Sequence, residues 1–244
     1  MSGHSKWANI KHKKEKTDAQ KAKVFTKIGK EIAIAVKEGG GDPNSNSKLR
    51  DLIQKAKSNN VPNDNIERII KKSMGSTDEN YEEIVYEGYG PGGVAVIVET
   101  TTDNRNRTAG NVRSYFSKYH GNLGQSGCVS FMFEEKGVIV IDNEDGDIDE
   151  DKLMEDAMEA GAEDFAAEGD VFEIYTESAD VFAVAESIKA AGYPVLSAEQ
   201  TMIPSTYTEL TTDDDKKFMN LLLEKLEEDD DVLTVFHNWE NQDE

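Results

Sequence analysis

Apolar residues at Phe25, Ile28, Ile32, Ala35 and Val36 recur at the 3.6-residue period, which predicts an amphipathic helix over residues 17–39. Thr17 and Gln20 have the spacing of a capping box at its start, and Gly39 is its natural stop. Lys23, Lys27, Lys30 and Lys37 fall on the opposite face, interrupted by Ile34. Two shorter helices follow: one over residues 47–58 burying Leu49, Leu52, Ile53 and Ala56, the other from just after Pro62 to Gly75 burying Ile66, Ile69 and Ile70. None can cover its stripe alone, and the short connections let the three pack together as a small helical bundle.

After residue 78 the rhythm changes. Residues 81–89 and 94–101 read as strands around a tight Gly-Pro turn, 104–119 as a helix and 128–133 as a strand. Residues 138–142, 149–160, 164–168, 171–176, 178–191 and 195–202 then spell β-α-β-β-α-β, the order of a ferredoxin-like unit. A last helix (213–228) and strand (232–236) supply what the earlier β-β-α-β segment lacks. The expected fold class is α+β in three domains, an N-terminal helical bundle followed by two α/β domains, the last one ferredoxin-like and inserted into the middle one. The boundaries are 1–78, 79–134 with 205–244, and 135–204.

Charge divides the chain at the same place. Residues 1–75 hold 17 Lys/Arg against 8 Asp/Glu, a net +9, while residues 76–244 hold 10 against 41, a net −31, within an overall −22. A compact basic segment is the footprint of polyanion binding, and an acidic body repels nucleic acid and suppresses indiscriminate sticking. Residues 1–16 add a basic arm in which Lys6, Lys11, Lys13, Lys14 and Lys16 surround Trp7 and His12. Lysines neutralise phosphates, and Trp7 or His12 can stack on an unpaired base. The bland alternative is a solvated tail whose Trp7 packs on the first helix. Arg105 and Arg107 lie where the helix after Asp103 and Asn104 begins, a place suited to phosphate and equally to pairing with neighbouring carboxylates.

Other signals point away from chemistry. Gly88 to Gly93 formally matches a dinucleotide fingerprint, but a strand follows where a helix is required, so a strained hairpin turn is the better reading. The acidic stretch 142–147 fails a calcium loop at both ends, with Ile141 and Lys152 in place of carboxylate ligands. It reads as a solvated acidic turn, as does 227–231. His4, His12, His120 and His237 lack metal-ligand spacing, Cys128 is the sole cysteine, and no nucleophile elbow, zinc-protease or P-loop motif occurs. The expectation is a non-enzymatic protein with no cofactor. The longest apolar runs are five residues, against roughly 20 for a membrane span, so no membrane role and a cytoplasmic location are expected.

Several separated stretches carry a resemblance. Gly3-His4-Ser5-Lys6-Trp7-Ala8-Asn9-Ile10-Lys11-His12, Lys23-Val24-Phe25-Thr26-Lys27, Tyr86-Glu87-Gly88-Tyr89-Gly90-Pro91-Gly92-Gly93, Thr102-Asp103-Asn104-Arg105-Asn106-Arg107-Thr108, Gly121-Asn122-Leu123-Gly124 and Val129-Ser130-Phe131-Met132-Phe133 resemble the YebC/PmpR family over essentially the whole chain. The chain departs from that pattern in the Lys-Glu-Lys character of 13–16 and in Cys128 where Ser is commoner. The resemblance implies three domains around a cleft and no known enzymatic activity. It also implies a role in gene expression, as a DNA-binding transcriptional regulator or a ribosome-associated translational activator. Lys6, Lys11, Lys13, Lys14, Lys16, Lys23, Lys27 and Lys30 are expected to neutralise phosphates of DNA or ribosomal RNA. Trp7 and His12 would stack or make polar contacts, Arg105 and Arg107 would extend the surface, and the acidic body would face protein partners or the ribosome. No convincing helix-turn-helix recognition helix rich in Arg, Asn and Gln is found, which weakens sequence-specific groove reading.

Overall fold

The computed structural model describes residues 18–75 and 81–242. Seven α-helices and two four-stranded sheets make an α+β architecture among these residues. The chain separates into two compact units, one containing residues 135–203 and the other residues 20–134 with 204–244.

The larger unit begins with α1 (Asp18–Gly39), α2 (Ser47–Ser58) and α3 (Asn63–Gly75). Their apolar stripes meet as anticipated, with Ile28, Ile32, Val36, Leu49, Leu52, Ala56 and Ile66 buried together. Asn46 stitches the first turn of this bundle. Its side-chain oxygen accepts the Leu49 N–H at 3.0 Å and so caps α2, while its amide nitrogen donates to the carbonyls of Ala35 and Gly40, each at 2.8 Å. Ala33 and Ile34 are buried as well. The residue that broke the lysine face of α1 is therefore covered, because that face also packs against protein.

Strands β1 (Glu82–Tyr89), β2 (Ala95–Thr102), β3 (Asn122–Leu123) and β8 (Val232–His237) form one sheet in the order β3-β1-β2-β8. α4 (Arg105–Lys118) and α7 (Asp213–Glu228) cover one face, where Val96, Val98, Val112, Phe116, Met219, Leu222 and Leu226 are buried. Ala95, Ile97 and Val129 are buried in a separate cluster with Phe133 and Phe236 packed on it. The unbroken apolar run 94–98 follows from this placement, since β2 is central and has no solvent face to alternate with. The turn from β1 to β2 is a short 3-10 turn, Pro91–Gly93, with Gly92 at φ +65° and Gly93 at φ +84°. It is a tight hairpin connection. A Cβ on Gly92 would also overlap the Leu210 side chain.

In the smaller unit, β4 (Phe133–Asp142), α5 (Glu150–Ala160), β5 (Asp164–Glu168), β6 (Val171–Glu177), α6 (Val181–Ala190) and β7 (Val195–Pro204) follow one another, and the sheet order is β5-β6-β4-β7. Ile139, Ile141, Leu153, Phe172, Ile174, Val184 and Ile188 form its core. Asp149 caps α5 by accepting the Lys152 N–H, and residues 144–147 before it are exposed, as a solvated acidic turn should be.

Two expectations need correction. Residues 128–132 are not a strand. Cys128 lies half-buried in a loop, a 3-10 turn spans Ser130–Met132, and β4 starts at Phe133. The physical reason is Glu87, whose buried carboxylate accepts the backbone N–H groups of Gly127, Val129 and Ser130 at 2.7, 2.9 and 2.8 Å. Those donors wrap around one side chain and are unavailable to a ladder. The acidic stretch 227–231 is a solvated turn only in part: Glu227, Glu228 and Asp230 are exposed, but Asp229 is half-buried and Asp231 is buried.

Candidate nucleic-acid interface

The candidate residues Lys6, Trp7, Lys11, His12, Lys13, Lys14 and Lys16, and Thr17 of the capping box, lie outside the described residues. Lys23, Lys27, Lys30, Arg105 and Arg107 lie inside, and four of these five converge on one place, the C-terminal end of α7.

An α-helix leaves its last carbonyls without intrahelical donors and carries partial negative charge there. α7 aggravates both, because Glu227, Glu228, Asp229, Asp230 and Asp231 crowd that end. Lysines of α1, one turn apart, supply the counter-charge. Lys23 Nζ donates to the Glu228 carbonyl at 3.1 Å, Lys27 Nζ to the Glu227 carbonyl at 3.2 Å and Lys30 Nζ to the Asp230 carbonyl at 2.7 Å. Lys30 also pairs with the Asp231 carboxylate at 3.3 Å. Burial pulls the Lys27 ammonium below the ordinary lysine range, against the attraction of Glu227.

Asp231 is the hub. The residue is 5% exposed, and its Oδ2 accepts from Thr102 Oγ1 at 3.2 Å, Thr108 Oγ1 at 2.9 Å and Arg107 at 2.7 Å. Its carbonyl accepts the Thr101 N–H at 2.7 Å. A register shift between Glu99 and Thr100, where β2 pairs with β8, sets up this turn beside the end of β2. Burial pushes the Asp231 carboxyl up, but the bonds from Arg107 and Thr108 and the charges of Lys30 and Arg107 outweigh it and hold it below the usual carboxylate range. Asp229 next to it accepts Asn111 Nδ2 at 3.1 Å and the Tyr115 hydroxyl at 3.0 Å, and burial together with that carboxylate pushes the Tyr115 hydroxyl up to about 12.

Of the two arginines, Arg107 also bonds Asp103 at 2.7 Å, so its guanidinium is spent on carboxylates while its side chain stays 46% exposed. Arg105 is exposed. Asn104 caps α4 by accepting the Arg107 N–H at 3.1 Å. A further tie between the helical segment and the sheet is Lys48, which bridges Glu38 and Glu83 at 3.2 and 2.9 Å.

Residue patterns missed two features. Nothing local marks Asp231, whose partners are 123–201 residues away. Nor does anything local mark Glu87. Burial raises its carboxyl, but the bonds from Gly127, Val129 and Ser130 outweigh that and hold it below the ordinary carboxylate range, beneath a loop that presents Phe131 at 76% exposure. Among the described residues no three His, Cys, Asp or Glu side chains gather as a metal site, and no helix is long and apolar enough to cross a membrane.

These features define an α+β protein in which a lysine-bearing helix is latched onto the acidic end of a later helix of the same compact unit. The chain belongs to the YebC/PmpR family: residues 5–76 match the model described as the TACO1/YebC protein N-terminal domain, and residues 81–239 the one described as the TACO1/YebC second and third domain. A "probable transcriptional regulatory protein" of Acetivibrio thermocellus is 61% identical over 240 residues, covering 98% of this chain and 99% of that one. One of the same description from Ruminiclostridium cellulolyticum is 59% identical over 245 residues, covering 100% and 98%. The crystal structure of a conserved hypothetical protein from Aquifex aeolicus matches with a TM-score of 0.82 at 46% identity, covering 97% of each chain.

Proposed function

We propose that this protein is a non-enzymatic, cytoplasmic regulator of gene expression that binds nucleic acid through residues 1–75, as a DNA-binding transcriptional regulator. The observation that carries the reading is the partition of charge, a net +9 in that segment against −31 in the rest. The names of the relatives agree with it.

In this reading Lys6, Lys11, Lys13, Lys14 and Lys16 of the arm make the first phosphate contacts, with Trp7 and His12 stacking or bonding beside them. Each lysine ammonium has three donors, and Lys23, exposed on α1, uses one on the Glu228 carbonyl. It can hold a phosphate without leaving α7, whereas Lys27 and Lys30 would have to exchange carbonyls for phosphates. Arg105 extends the surface, and Arg107 would join it only by giving up Asp103. The organisation we infer is three domains, with residues 135–204 as a ferredoxin-like insert, a reading supported by its β-α-β-β-α-β order and its sheet order. The acidic body would face protein partners.

A second reading, a ribosome-associated translational activator binding ribosomal RNA, is favoured by the lack of a convincing helix-turn-helix recognition helix in the sequence. Crosslinking in cells, followed by purification and sequencing of both the DNA and the RNA attached, separates the two. Enrichment at discrete promoters is the expected result for transcription control; dominant enrichment of ribosomal RNA at one location establishes the second reading instead. Recovery of neither overturns both.

A further inference from the structure

The charge of α4 is opposite to that of its surroundings. Residues 76–244 hold 10 Lys/Arg against 41 Asp/Glu, yet the 14 residues of α4 carry four basic side chains and no acidic one. Two of the four are occupied. Arg107 bonds Asp103 and Asp231, and Lys118 Nζ stands 5.3 Å from the centre of the Tyr119 ring. Arg105 and Arg113 are exposed, and among the described residues neither guanidinium has an ion pair or a hydrogen bond. Burial raises the Tyr86 hydroxyl and the charges of both arginines oppose it, so both stand within electrostatic reach of one side chain.

The helix buries Thr108, Val112 and Phe116, which leaves Asn106, Gly110, Arg113 and Ser117 along its outer face, all exposed. Gly110 is a second anomaly. Glycine weakens a helix interior relative to alanine, and no packing demands it here, because a Cβ would meet nothing within 4 Å. Gly29 of α1 differs, since a Cβ there would stand 3.2 Å from Ile69 Cδ1. What an exposed helical glycine does permit is the close approach of a molecule from outside. The face also has a neighbour of the right kind: Asp231 accepts from Arg107 and Thr108 of α4 and pairs with Lys30, so α4 begins beside the lysine-bearing α1.

We propose that the outer face of α4 is a second nucleic-acid contact, in which Arg105 and Arg113 hold phosphates of a backbone that passes close over Gly110. About 12 Å of helix axis separates the two arginines, so they meet different phosphates. Phosphates carry no sequence information, and the contact positions a strand without reading it. The assignment rests on the nucleic-acid reading above and extends it beyond residues 1–75. DNA and RNA share this chemistry.

The test measures the salt dependence of binding by the full-length protein to a DNA duplex and to an RNA stem-loop. Arg105→Ala with Arg113→Ala should weaken binding and lower the log–log salt slope on the duplex by roughly 0.9 for each arginine removed. The nucleic acid whose slope falls identifies the backbone that α4 meets. An unchanged affinity and slope in a protein that still binds overturns the α4 contact and leaves the nucleic-acid reading standing, and weaker binding with an unchanged slope overturns the phosphate contact. Retention of neither nucleic acid by the unaltered protein at low salt overturns the reading and the contact together. As a second measurement, Gly110→Gln places a better helix former on the same face, so thermal unfolding should move to higher temperature while nucleic-acid affinity falls. A more stable variant that binds undiminished would overturn the close approach at Gly110.

Discussion

The guanidinium of Arg107 and the carboxylate of Asp231, 124 residues apart in the chain, meet at 2.7 Å through a terminal nitrogen and at 3.2 Å through Nε. Lys30 approaches the same carboxylate from α1, so one side chain holds the helical segment, the end of β2, the start of α4 and the end of α7. Asp231→Ala would leave Lys30, Thr102 and Thr108 short of an acceptor, and a loss of about 2–3 kcal/mol in chemical denaturation is expected. Arg107→Ala should cost less, because its side chain is half exposed to water that screens the pair.

The lysines of α1 allow stability and affinity to be told apart. Lys27→Ala removes a cation from the end of α7, and a loss of roughly 0.3–1 kcal/mol in thermal or chemical unfolding is expected from the helix-end interaction. The same substitution should change nucleic-acid affinity less than removal of the arm lysines does, a comparison read by fluorescence anisotropy.

Glu87→Gln keeps the shape of the side chain beneath the loop but removes its charge. One amide oxygen cannot replace a carboxylate that receives three N–H groups, and charge-assisted bonds are about twice as strong as neutral ones. Hydrogen exchange at Gly127, Val129 and Ser130 should accelerate, while the amides of β2 stay protected. Equal acceleration throughout the sheet would mean that Glu87 supports the whole domain and not the loop.

Acid should destabilise the protein in two stages. Burial of the His237 imidazole, which accepts the Trp239 N–H at 3.3 Å, pulls it down to about 4 from 6.5. Between these values the unfolded chain binds a proton that the folded one refuses, so stability falls as pH drops from about 6.5 to 4. Asp231 and Glu87 are held below their ordinary 3.8 and 4.5 in the folded state, so their contribution is full above those values and is lost as pH falls below them. In urea titrations over this range, His237→Gln should flatten the upper stage and leave the lower one.

Gly92→Ala tests the β1–β2 turn. A φ of +65° and the nearby Leu210 side chain together predict a loss of roughly 1–3 kcal/mol by thermal unfolding.

Elements with local signals were legible from residues alone. The period of α1 to α3 and the run 94–98 place the observed helices and the central strand. What escaped depends on distant partners. β3 is two residues long and exists because Gly88 lets Asn122 and Leu123 come close; a Cβ at Gly88 would meet the Asn122 carbonyl oxygen at 2.6 Å. Residues 128–132 have strand-like composition, but their donors answer to Glu87 from another strand. In the stretch 227–231 only Asp229 and Asp231 leave the solvent, and nothing local marks them; the lysines of α1 reach the backbone carbonyls of the others. At the candidate site, charge singled out the lysine face of α1, while periodicity could not show that Lys23, Lys27 and Lys30 face a helix end of this same chain.

The central claim is that phosphates are bound by the lysines of residues 1–75. Its most direct test is the salt dependence of duplex DNA and structured RNA binding by the full-length protein and by a variant with Lys11, Lys13 and Lys14 all changed to Ala. The account predicts weaker binding by the variant and a log–log salt slope reduced on duplex DNA by roughly 0.9 for each phosphate that is no longer neutralised. An affinity and a slope that match those of the unaltered protein would contradict it.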